Sequence, residues 1–264
     1  CMNRREALPK NRRRGSHPRC LMFMEGDRQD VAGRLTALVG LANVDVDEDD
    51  SWMPRGLPKP TGDGGWDREP TREATLGEDE GFLSPEHLEI VTHWWLEVAP
   101  RANTPNWDIA STCQINGKRG MLLIEAKAHD RELSSSGKPE PTTPNGMKNH
   151  EKIGAAIKQA SADLNRIEPG RALSRDSHYQ LSNRFAWSWK LTQLGVPVIL
   201  VYLGFLHAGE MADQGESFAN HEAWVRTVKA YARGLVPGSA WDNCLLVNDT
   251  LMWTLIRSVE VKLN

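Results

Sequence analysis

The chain has 264 residues, with 32 Lys and Arg against 35 Asp and Glu and a formal net charge of −3. That length can bury a substantial core in one large domain or two small ones. With 39% hydrophobic and 25% charged residues the composition is globular, which excludes collagen-like, coiled-coil and wholly disordered chains. No apolar run approaches the ~20 residues of a membrane-spanning helix. No signal-peptide pattern opens the chain, and a nearly neutral total argues against a protein that coats polyanions nonspecifically. Four scattered cysteines, Cys1, Cys20, Cys113 and Cys244, form no CxxC pair. They predict reduced thiols in a cytoplasmic protein with no membrane partner, no zinc ribbon and no disulfide framework.

The charge is unevenly spread. Residues 1–19 sum to +6, residues 20–117 to −12, residues 118–190 to +5 and residues 191–264 to −2. A basic middle segment and a basic tail are therefore hidden inside a mild total, and such asymmetry points to an anionic partner.

In chain order, residues 1–20 read as a flexible basic arm, and residues 21–83 as a helical and irregular extension. Within the extension, Val31, Leu35, Leu38, Val39 and Ala42 have helical spacing, whereas residues 51–81 are rich in Gly, Pro and charge. Ser84-Pro85-Glu86 is a helix start, with Ser as N-cap and Pro at the first helical position; the helix runs to about Ala99. A hairpin follows: Trp107–Ile115, the turn Asn116-Gly117, and Gly120–Ala128. The run Met121-Leu122-Leu123-Ile124 predicts a strand buried on both faces. Residues 134–149 predict a mobile loop, residues 150–167 a helix and residues 176–194 a second helix, closed by Gly195. Residues 196–205 are strand, 218–233 helix, and 244–247 and 251–261 strand again. Helices alternate with strands, so the fold class is α/β.

The informative cluster is Asp108 on one hairpin strand and Glu125-Ala126-Lys127 on its partner. Residues i and i+2 of a strand share a face, so Glu125 and Lys127 project together, and the hairpin returns Asp108 to the same spot. Two carboxylates and an ammonium at the end of an apolar strand need partners or a metal. A divalent cation such as Mg²⁺ relieves carboxylate repulsion and commonly joins carboxylates to phosphates. Lys127 could orient or deprotonate an attacking water, which outlines a site for metal-assisted hydrolysis.

On these residues the chain resembles the PD-(D/E)XK phosphodiesterase superfamily. The match is Asp108 after Asn106-Trp107, Glu125-Ala126-Lys127 after the apolar run, and then a helix and a strand; Trp107 stands where the motif often has Pro. The resemblance implies a restriction-endonuclease-like mixed central β-sheet flanked by helices. That domain would cover residues 84–264, with an insertion at about 134–175. It also implies Mg²⁺-dependent cleavage of nucleic acid, DNA before RNA, with Mn²⁺ as substitute. Asp108, Glu125 and the Ala126 backbone carbonyl would hold the metal, joined by His87 or Glu86 from the first helix. Lys127 would serve the water. Gln180, Asn183 and Arg184 share a helix face and would contact phosphate or water. His129, on the Lys127 side of the strand, would line the substrate rim. The basic segment 118–190 would face the phosphates, and a homodimer stays open. The alternative is a noncatalytic nucleic-acid-binding or protein-interaction module of the same fold. A two-carboxylate glycosidase is disfavoured, because Lys127 depresses the pKa that a general acid needs raised.

Overall fold

In the computed structural model, which describes residues 4–77, 81–100 and 102–263, the Met121–Ile124 run lies in a strand buried on both faces, as its composition predicts. In chain order the elements are α1 (Ser16–Phe23), α2 (Arg28–Val39), β1 (Val44–Asp45), β2 (Trp52–Met53), β3 (Lys59–Pro60), β4 (Trp66–Asp67), β5 (Ala74–Thr75), α3 (Pro85–Trp95), β6 (Asn106–Trp107), β7 (Ile109–Ile115), β8 (Lys118–Lys127), α4 (Pro144–Ile167), α5 (Tyr179–Gln193), β9 (Val198–Leu206), α6 (His221–Tyr231), β10 (Asn243–Val247) and β11 (Thr250–Glu260). The main sheet runs β1-β7-β8-β9-β11-β10, with β2 also paired to β7. β7–β8 and β10–β11 are antiparallel, whereas β8–β9 and β9–β11 are parallel. Parallel pairing of β8 with β9 demands a long crossover, which α4 and α5 supply. The fold is mixed α/β, with a mixed central sheet flanked by helices on both faces.

Local signals explain the elements near the hairpin. Asn116 and Gly117 both adopt left-handed backbone (φ 50° and 74°), as a two-residue turn requires. Ser84 accepts a hydrogen bond from His87 N at 3.2 Å, and Pro85 occupies the first position of α3. Strand alternation then divides the core. Met121, Leu123, Leu200 and Tyr202 pack with residues of α3, α4, α5 and α6, whereas Leu122, Ile124, Ile199, Val201 and Leu203 pack with α1 and α2.

Three expectations about chain organisation are corrected. The predicted flexible arm is folded from Arg4 onward: Ala7, Leu8, Cys20 and Leu21 are buried, and α1 lies on the sheet. Residues 1–3, with Cys1, lie outside the described residues, and Cys20, Cys113 and Cys244 are free thiols. The expected extension is part of the same core, since α1 and α2 cover one sheet face and β1 and β2 pair with β7. The stretch read as an insertion contains α4, which starts at Pro144 on a Thr143 cap, so the loop is shorter than expected. Its Ile153, Ala156, Ile157, Ala160 and Leu164 pack into the other face. Among the described residues no helix is long and apolar enough to cross a membrane.

Arg19 ties α1 down. Its guanidinium is buried, reaches both oxygens of Glu210, and donates to Gly15 O at 3.0 Å and Val261 O at 3.1 Å. Burial pushes the Glu210 carboxyl up, but the Arg19 bonds outweigh it and hold the group below the ordinary carboxylate range. A depressed folded value stabilises above the unfolded value and loses that stabilisation as pH falls through the folded one. Glu210→Gln is expected to cost about 2 kcal/mol at neutral pH, less than a fully buried pair, because the Glu210 side chain keeps 30% exposure. The same variant should show a flatter loss of urea stability between about pH 5 and pH 3. Parallel curves for both proteins would refute this role.

Candidate active site

The site is built where a strand leaves the sheet. β7 follows β8 down to the pair Ile109↔Ile124, and there β6 turns away to pair with β5 through Ala74↔Trp107. Asp108 sits at the bend. Its Oδ2 accepts from Ala126 N at 2.7 Å, replacing the acceptor that the departing strand no longer supplies. The N–H and C=O of one strand residue leave on the same side, so the Ala126 carbonyl also faces the Asp108 side.

Glu125 and Lys127 flank Ala126 on β8 and point together toward α5. The Lys127 ammonium donates to Glu125 Oε1, and Arg184 Nε donates to Glu125 Oε2 at 2.6 Å. Arg184 Nη1 donates to Asn183 Oδ1 at 2.9 Å, and its guanidinium lies 4.4 Å from the Trp107 ring centroid. All three charged side chains are buried: Glu125 is 0%, Lys127 6% and Arg184 6% exposed.

The electrostatics follow from this packing. Burial, then the Glu125 charge, raise the Asp108 carboxyl to about 7, although Asp108 keeps some solvent contact. Burial would also raise Glu125, but Arg184 and Lys127 outweigh it and hold it below the ordinary range. For Lys127, burial favours the neutral amine, but Glu125 and Asp108 prevail and keep it a firm ammonium.

The other predicted residues divide. Asp108, Glu125, Ala126 and Lys127 meet as expected. Gln180 is half-buried one turn before Arg184, and its amide has no protein partner among the described residues. Asn183 is buried, and its Oδ1 accepts from Arg184. Arg184 was expected on substrate phosphate; instead it is committed to Glu125 and stacked on Trp107. His129 is not at a rim: it is buried beneath Gly215, with Nε2 3.7 Å from Glu132 Oε1.

His87 and Glu86 are in the wrong place for a metal shared with Asp108. His87 lines a cavity with Arg119, Gly120 and Met121, at the other end of β8 from Lys127. Met121 and Lys127 are six steps apart along the strand, about 20 Å. Glu86, beside His87 in the first turn of α3, is exposed at that same far end. The basic segment is also less free than its sum implied. Arg171 pairs with Glu168, Arg175 with Glu151 and Asp176, Arg166 with Asp163, and Lys152 with Glu97.

Glu132, Tyr231 and Tyr202 also bear on the cluster and are not among the residues predicted from the sequence. Glu132 accepts from Ala128 N at 2.6 Å and from Ser16 N at 3.2 Å, tying the end of β8 to α1, and its charge is felt by Lys127. Tyr202 faces Glu125 across the β8–β9 register, with its hydroxyl buried and unpartnered among the described residues. The only sequence signal was for Tyr202: parallel neighbours share a face, so a polar ring in the run after α5 could have been placed beside Glu125.

Among the described residues no group of three or more His, Cys, Asp or Glu side chains is arranged to hold a metal. No protein-family model, curated protein or solved structure matches this chain. Fold and site together define an α/β protein with a buried carboxylate–ammonium–guanidinium cluster at a sheet opening.

Proposed function

We propose that the chain is a Mg²⁺-dependent nuclease that hydrolyses phosphodiester bonds, DNA ahead of RNA. Its sheet would be restriction-endonuclease-like and related to the PD-(D/E)XK superfamily. The observation carrying this reading is the meeting of Asp108, Ala126, Glu125 and Lys127 where β6 leaves β8. The order α3, β7–β8 hairpin, α5, β9 agrees with it.

The donor set fits a hard cation. Asp108, Glu125 and the Ala126 carbonyl offer oxygen ligands on one side of β8. Burial first and the Glu125 charge second raise the Asp108 carboxyl, and a bound cation would oppose both. These three groups would hold Mg²⁺, with Mn²⁺ as substitute; when bound, the ion would polarise a phosphoryl oxygen and acidify a water. Lys127, fixed as an ammonium by Glu125, would donate to the water or to a phosphate oxygen and would not serve as a base. Arg184 would position Glu125, with Trp107 stacked behind it. Gln180 would be free to contact phosphate or water.

Cleavage of plasmid and single-stranded substrates with Mg²⁺ or Mn²⁺ tests this. Asp108→Asn and Lys127→Met are each expected to lose at least about a hundredfold in rate. Wild-type cleavage that survives both changes would sink the site assignment. A second reading, a noncatalytic nucleic-acid-binding module, is favoured by one observation: both Glu125 oxygens are already neutralised by cations within the protein. Nucleic-acid binding without any cleavage would select it.

A further inference from the structure

We propose that residues 133–138 form a strap that closes the solvent side of the Lys127–Glu125–Arg184 cluster and must lift before a solute can reach it. That the solute is a phosphodiester rests on the nuclease reading; the closure itself does not.

The cluster is sealed as it stands, since its three charged side chains are almost wholly buried. The strap leaves β8 through the 3-10 turn Asp130–Glu132 and crosses the N-terminus of α5. His178 N donates to Ser135 O at 2.9 Å, Tyr179 N to Ser136 O at 3.0 Å, and Lys138 N to Arg175 O at 2.8 Å. The Tyr231 hydroxyl donates to Ser134 O at 2.9 Å, and the Tyr231 ring packs 5.1 Å from His178. Tyr231 also feels the charges of Lys127, Glu125 and Arg184, so the hydroxyl that holds the strap lies near the cluster. Lys138 Nζ lies 4.9 Å over the Tyr179 ring.

The strap is the least anchored neighbour of the cluster. Ser134, Ser135 and Ser136 are exposed, and no apolar side chain is buried from residue 134 to residue 152. Beyond Leu133, which packs against the core, hydrogen bonds and one cation–π contact hold it, whereas α1, α5 and α6 are held by core packing. Segments with few buried apolar contacts open locally at low cost. Gly137 sets the closed position: a Cβ there would meet Asp176 O at 2.5 Å and Asp176 C at 2.6 Å, so only glycine lets the strap lie on that backbone.

The test is acylation of Lys127 by an amine-reactive acetate ester, read by peptide mass spectrometry in metal-free buffer, with exposed Lys262 as internal reference. Wild type should label slowly at Lys127. Gly137→Ala should raise that rate about tenfold or more and speed amide exchange over residues 134–138. Tyr231→Phe, which removes the Ser134 bond, should move both in the same direction. Faster exchange without faster Lys127 labelling overturns the proposal, because the strap would then cover something else. No change in either variant also overturns it. If Lys127 labelling responds but wild type cleaves no nucleic acid, the nuclease reading fails and the strap stands.

Discussion

Glu125→Ala is expected to cost about 3–5 kcal/mol in a urea titration, because it removes the one carboxylate bonded to both the buried Lys127 ammonium and the buried Arg184 guanidinium and leaves them only the Asp108 charge. Few single changes here should do more. Glu125 offers one oxygen to each cation, so its loss breaks both pairs at once, and burial leaves neither cation water to fall back on. The triple change Glu125→Leu, Lys127→Met, Arg184→Met should recover most of that loss, since apolar groups of similar volume often replace a buried ion cluster at little cost. It should retain no cleavage activity. That contrast separates a cluster kept for chemistry from one kept for stability. A loss below about 1 kcal/mol for Glu125→Ala would place the cluster in the class of exposed ion pairs and refute the buried network.

Trp187→Ala is expected to cost a similar amount, about 3–5 kcal/mol, through a cavity where α5 meets α3. The Trp187 ring packs edge-on against Trp95 at 5.7 Å and Trp94 at 6.3 Å, and Trp189 lies 6.0 Å from Trp94. These contacts fix the helix that carries Arg184, so the variant should also loosen Glu125. Trp187→Phe should recover most of the stability, because the Trp187 Nε1–H is buried without a partner among the described residues and its removal strands nothing. Thermal melts of the two variants check this; equal losses would mean that ring area does not carry the contact.

Much of the scaffold was legible in the sequence because its signals are local. The Ser84 cap, the Asn116-Gly117 turn and the apolar run Met121–Ile124 each report on a few neighbouring residues, and each appears where expected. Pairing of Asp108 with Glu125-Ala126-Lys127 was also readable, since a two-residue hairpin turn fixes the register between them. The helix bearing Arg184 was harder. Its Ser182, Asn183, Arg184, Ser188, Lys190 and Thr192 are polar residues spread round the helix, yet residues 181–192 are buried. Ser188 and Thr192 permit that by donating back to Arg184 O and Ser188 O, at 2.8 Å each.

The sequence by itself therefore determined the α/β class, the hairpin, its register and the convergence of two carboxylates with a lysine. Only the tertiary structure decided that residues 4–53 supply a helical layer and two strands to the same sheet, because those pairings join residues 57 (Met53↔Ala110) to 71 (Val44↔Ile115) positions apart and leave no local periodicity. It also decided that His87 lies at the far end of β8 and that Arg184 holds Glu125. A helix pattern fixes which side chains share a face, but its position along the sheet is set by packing at a distance.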